Sequence, residues 1–124
     1  MNKFVPEKIL PMEIYKQLIK IKVEQPQLVF EIAKLRKKPQ SLGIKGNFLI
    51  VAADHNGRMI TAYKDDEIGL GNRYNYLARL SRILANNAID GVESTPDIIE
   101  DLLLLNYLFK KNGKKEFLED VELM

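Results

Sequence analysis

Phe48-Leu-Ile-Val-Ala-Ala-Asp54-His55-Asn56-Gly57 is an apolar run that ends abruptly in a carboxylate, an imidazole and a glycine. Residues 48–53 carry no charge, so both faces of the run can be buried. A short, two-sided apolar run followed by a helical segment reads as a parallel strand inside an α/β fold. Polar groups just past the C-terminal end of such a strand lie where α/β folds place their chemistry. Asp54 and His55 are therefore the first candidates for a site. A carboxylate there could work as a general acid or base if a reacting oxygen came within hydrogen-bond reach. The bland alternatives are a turn-capping carboxylate for Asp54 and a strand-end hydrogen bonder for His55.

Working outward, residues 11–23 carry a helical stripe of Ile14, Leu18 and Ile21. Residues 26–37 form a second helical pattern, with Pro26 in its first turn and Leu28, Ile32 and Leu35 as its stripe. Arg36, Lys37 and Lys38 suit that helix's C-terminus, where cations meet the negative end of the dipole. A long polar loop, 56–70, separates the first strand from a helix over 72–87. Asn72 is its N-cap, and Leu77, Leu80 and Leu84, supported by Tyr76 and Ile83, mark its buried face. A second strand is expected over 90–95, with Ser94 and Thr95 at the same end as Asp54. Thr95-Pro96-Asp97 then opens a helix over 96–111: cap hydroxyl, first-turn proline, first-turn carboxylate. Asn112-Gly113 suits its left-handed end. Strands alternating with amphipathic helices predict right-handed βαβ units and a parallel sheet.

Two features of this layout need more than local pattern. In the run Leu102 to Leu105, Leu102 and Leu105 can face the sheet, so Leu103 or Leu104 must be covered by something else. The tail, 114–124, stands where a third strand should come; Val121 to Met124 read either as the start of a strand or as the end of a frayed helix.

Composition narrows the chemistry. The chain has 124 residues, 46% hydrophobic and 29% charged, with net charge +2, which suits about one small domain with no strong pull toward nucleic acid or membrane. There is no cysteine, which excludes disulfides, thiolate catalysis and Cys-type zinc sites. His55 is the single histidine, so a metal site would have to recruit carboxylates around it, and no metal is expected. Gly69-Leu-Gly71 lacks the third glycine of a dinucleotide motif and follows a loop rather than a strand. The first residues have no signal-peptide core, and no apolar run approaches the roughly 18 residues of a membrane span. A soluble, cytoplasmic protein is the expectation.

Leu49-Ile-Val-Ala-Ala-Asp54-His55, Asn72-Arg-Tyr74, Asp90-Gly-Val and Ser94-Thr-Pro-Asp-Ile-Ile-Glu-Asp-Leu-Leu-Leu-Leu105 together resemble the class I aldolase-like (β/α)8 barrels. These form the DhnA and deoxyribose-phosphate aldolase superfamily, and the nearest branch lies near inositol catabolism. The resemblance covers residues 12–110. It implies an N-terminal helical extension over 1–40, two βα units of a TIM barrel over 41–113, and an atypical tail over 114–124 in place of strand three. The family reaction would be reversible carbon–carbon cleavage of a phosphorylated sugar or ketose-like substrate through a lysine Schiff base, with no cofactor. Asp54 would contact substrate and assist proton transfer, with His55 beside it and Ser94 binding substrate. Neither predicted strand carries a lysine, and Lys64 lies in the loop, so the nucleophile is expected outside this chain. The late phosphate-binding loops of such barrels would be missing too. The expectation is then a truncated, inactive lyase-like fragment. The rival from another class is a small non-enzymatic α/β interaction module, associating with itself or with a complementing polypeptide through exposed strand edges.

Overall fold

The computed structural model describes residues 4–36, 49–53, 72–86, 88–119 and 121–124. In chain order the elements are α1 (Pro6–Ile9), α2 (Met12–Glu24), α3 (Leu28–Leu35), β1 (Ile50–Ala53), α4 (Arg73–Leu84), β2 (Gly91–Ser94), α5 (Pro96–Lys111) and β3 (Glu122–Leu123). The strands form one parallel sheet in the order β1-β2-β3, with Ala53 opposite Ser94 and Val92 opposite both Val51 and Leu123. Each strand is added beside the last. Successive right-handed crossovers of that kind put their helices on one face, and α4 does pack on α5.

The expected helices form for the expected local reasons. The Asn72 side chain accepts the Asn75 N–H at 3.1 Å, so the α4 cap is real. Pro96 begins α5, although the Thr95 side chain makes no cap bond to its backbone. Gly113 adopts φ +76, and the Lys114 N–H reaches back to the Phe109 carbonyl at 2.7 Å, closing α5 with a left-handed turn.

All four leucines of α5's run, Leu102 to Leu105, are buried. Their cover comes from two sides. α4 packs on α5 from one side, and α2 and α3 pack on it as an outer layer. A helix apolar all round is stable only when enclosed in this way. The N-terminal helices are therefore part of the core: Ile14, Leu18, Ile21 and Val29 are all buried in it.

Several expectations need correction. The stripe assigned to α3 holds in part: Leu28 and Ile32 pack against the core, but Val29 is the fully buried residue and Leu35 is 84% exposed. Ile83 of α4 is exposed rather than part of the buried face. Arg36 does not serve as a dipole cap. Its guanidinium donates to the Leu118 carbonyl at 2.7 Å and to the Val121 carbonyl, and so fastens α3 to the tail. Burial lowers the Arg36 pKa from its ordinary value, and Glu122 and Glu116 oppose that.

Of the two readings of the tail's end, the strand is the one that forms, as β3. Phe117, Leu118 and Val121 are buried, and Phe117 meets Phe109 edge-on at 5.1 Å. The Asn106 side chain accepts the Phe117 and Leu118 N–H groups at 2.8 and 3.1 Å. The tail therefore supplies a third strand, and the two-strand barrel fragment is replaced by a small α/β domain with five helices and three parallel strands among the described residues.

Two-sided burial of the first strand fails as well. Val51, Val92 and Leu123 face the helices, whereas Ile50, Ala52 and Glu93 are exposed on the other face. Met124 lies there too, its side chain folded toward Gly91, where an added Cβ would stand 3.2 Å from its terminal methyl. Parallel sheets are normally covered on both sides, whereas among the described residues no element covers this face.

Candidate functional site

The site expected from the sequence sits at the C-terminal ends of β1 and β2. The last residue of β1, Ala53, is buried and pairs with Ser94. Its carbonyl accepts two hydrogen bonds, from Ser94 Oγ at 2.8 Å and from the Tyr76 hydroxyl on α4. That carbonyl belongs to the peptide unit leading into Asp54, so one strand and one helix together fix where the chain leaves the sheet. Ser94 spends its proton on this bond, which gives it a structural task. Asp54, His55, Lys64 and the loop 56–70 lie outside the described residues.

A charged cluster that sequence reasoning missed lies on the outer side of α5. Asp101 is the hub, with its side chain 2% exposed. Lys22 Nζ of α2 lies 3.0 Å from Oδ1, and Arg73 Nε of α4 lies 2.6 Å from Oδ2. Arg73 also reaches Asp97 Oδ2 at 3.0 Å and donates to the Asp97 carbonyl at 3.3 Å. Burial works against the Arg73 charge, but Asp101 and Asp97 outweigh it and raise its pKa above the ordinary value. The Thr95 hydroxyl, and then Arg73, hold the Asp97 carboxyl below its usual range against some desolvation. The signal in the sequence was the four-residue spacing of Asp97 and Asp101, one helical turn apart on α5. Beside the cluster, Lys22, Gln25, Pro26, Val29, Glu100 and Leu104 line a shallow cleft. Two cations already match the buried carboxylate, so the arrangement ties three helices together and offers no reactive group.

A third polar contact joins α1 to α4. The Tyr74 hydroxyl donates to the Leu10 carbonyl at 2.6 Å and lies 2.9 Å from Glu7 Oε2. Desolvation and the Glu7 carboxylate push the Tyr74 pKa up to about 12. Among the described residues no group of three His, Cys, Asp or Glu side chains could hold a metal ion. No helix among them is long and apolar enough to cross a membrane.

The fold and these contacts define a singly wound parallel α/β domain with an outer helical layer. The model of the Cgl0159-like family matches residues 46–113, more than half of the chain, and the protein belongs to that family. It is also similar to the crystal structure of Cgl0159 from Corynebacterium glutamicum (Brevibacterium flavum), at 36% identity and a TM-score of 0.75 over 90% of this chain. The chain spans 34% of that longer protein. No curated protein matches it.

These findings overturn the aldolase resemblance. The family that matches takes in most of the quoted motifs and is the Cgl0159-like one. The sheet has three strands and no barrel among the described residues. The motif residues also have plain structural tasks: Asn72 caps α4, Pro96 starts α5, and Arg73, Asp97 and Asp101 join the two helices. Lyase, Schiff-base and inositol-catabolism assignments lose their support with the resemblance that implied them.

Proposed function

We propose that this chain is a non-catalytic α/β interaction module that completes its sheet with strands from a partner polypeptide. The observation that carries this reading is the bare face and edge of β1. Among the described residues β1 has a neighbour on one side only, and Ile50 and Ala52 lie exposed on the face away from the helices. A two- to three-stranded parallel sheet exposed in this way leaves backbone groups and apolar surface open to pairing. The longer relative, of which this chain spans 34%, supports the reading, because a fuller family member has more chain with which to extend a sheet. The finer arrangement we propose is a barrel-type sheet, since strands added one after another with helices on one face lead toward closure.

The test is coexpression with the part of Cgl0159 that this chain does not match. A stable one-to-one complex, with amide exchange slowed at Ile50 and Ala52, is the expected result. A monomer that unfolds cooperatively, leaves hydrophobic dyes unbound and takes up no partner would overturn the proposal.

A further inference from the structure

We infer that the strand received at the β1 edge carries a basic side chain that reaches across Ala52 to Glu93. This inference rests on the sheet-completion reading above and specifies the chemistry of its partner.

The register makes the argument. Ile50 pairs with Gly91 and Ala52 with Glu93, so these four share the open face. Residue orientation alternates along a strand. The Leu49 carbonyl accepts the Asp90 and Gly91 N–H groups, and the Ala53 carbonyl accepts Ser94 Oγ, so residues 49, 51 and 53 point their peptide groups toward β2. Ile50 and Ala52 therefore turn theirs outward, to the free edge. A strand docking there places one of its open-face side chains directly opposite Ala52. Two strand spacings, about 9.6 Å, then separate it from Glu93. Ala52 fills the space between with a single methyl group, which leaves a channel for a long side chain. An arginine or lysine extending from one side and Glu93 from the other can meet above that methyl.

Charge selects the occupant. Glu93 is exposed and makes no ion pair among the described residues. On the same face Glu122 adds a second carboxylate, which has Arg36 near it. In the Ile50 row the face holds Gly91, with the Met124 methyl folded toward it and Glu122 beyond, while Ile50 itself offers apolar surface at the edge. A second copy of this chain fits less well. Its β1 would bring only Ile50 and Ala52 to the shared face, and Glu93 would still lack a cation. A separate strand with apolar residues and one cation satisfies both features.

The probes are three nine-residue valine- and threonine-rich peptides that differ only in a central arginine, glutamine or glutamate. Binding to the full chain is read by fluorescence anisotropy and located by amide shifts of Ile50 and Ala52. The arginine peptide should bind about two- to fivefold tighter than the glutamine peptide, the range of one cross-strand ion pair. The glutamate peptide should be weakest. Glu93→Gln should abolish the difference between arginine and glutamine, and high salt should shrink it. Equal binding by all three, or a preference that survives Glu93→Gln, would overturn the charge inference and leave sheet completion standing. Failure of every peptide to shift Ile50 or Ala52, together with no complex in the coexpression experiment, would overturn both. Self-association with slowed exchange at those two amides would replace the separate partner by a second copy.

Discussion

Arg73 Nε lies 2.6 Å from Asp101 Oδ2, joining the first residue of α4 to a carboxylate buried in α5. Lys22 of α2 reaches the same carboxylate, so three elements depend on one acidic side chain. Removing Asp101 leaves Lys22 without its carboxylate and Arg73 with Asp97 alone, whereas removing either cation leaves the other in place. We expect Asp101→Ala to cost about 2–3 kcal/mol, below the full cost of breaking a buried pair because both cations are partly solvated. Lys22→Ala should cost less than about 1 kcal/mol. Urea unfolding midpoints measure both, and equal losses from the two variants would contradict the hub role.

The Arg36 guanidinium holds two tail carbonyls, those of Leu118 and Val121. Hydrogen bonds from a charged donor are worth about 1.5–3 kcal/mol each before solvent screening. Arg36→Ala should therefore loosen the tail locally. The Glu122 and Met124 N–H groups, which bond to Asp90 and Val92 carbonyls, should exchange faster. Amides within α5 should change little. Uniform acceleration across the domain would show instead that the tail unfolds only with everything else.

Tyr74 gives a signature at high pH. Its folded pKa is raised to about 12, above the unfolded value of about 10. The neutral phenol is thus favoured by folding, and its contribution is complete below about pH 10. As pH rises through about 12 the phenolate forms in the folded state as well and that contribution is lost. Phenolate absorbance should show Tyr74 titrating late. Tyr74→Phe should remove that late step, and its stability should fall less between about pH 10 and 12.

Ser94 and Tyr76 share the Ala53 carbonyl. Ser94→Ala leaves that buried acceptor with the Tyr76 bond, so a loss of about 0.5–1.5 kcal/mol is expected. Ser94→Ala combined with Tyr76→Phe leaves it with neither and should cost more than the sum of the single changes. A double-mutant cycle in thermal unfolding measures this. Strict additivity would mean that the two hydroxyls do not act on one shared group.

The sequence by itself determined where most elements lie. Asn72 before α4, Pro96 at the start of α5 and Asn112-Gly113 after it are signals carried by neighbours in the chain, and they place those helix ends within a residue or so. The apolar run before Asp54 likewise marked β1. What the sequence left open were contacts between distant segments. Lys22 and Asp101 are 79 residues apart, and Arg36 lies 82 from Leu118, so no local pattern pairs them. The cover over Leu103 and Leu104 depended on α2 and α3 folding back onto α5, and Leu35 turned outward because that docking chose Val29 instead. The third strand is only two residues long, too short for periodicity to reveal, and it exists because buried Leu118 and Val121 and the Arg36 bonds bring it beside β2. Local conformation follows from side-chain spacing and capping, which near neighbours fix. Pairing across the fold follows from which apolar faces exclude water together, and that is settled only when every element is packed.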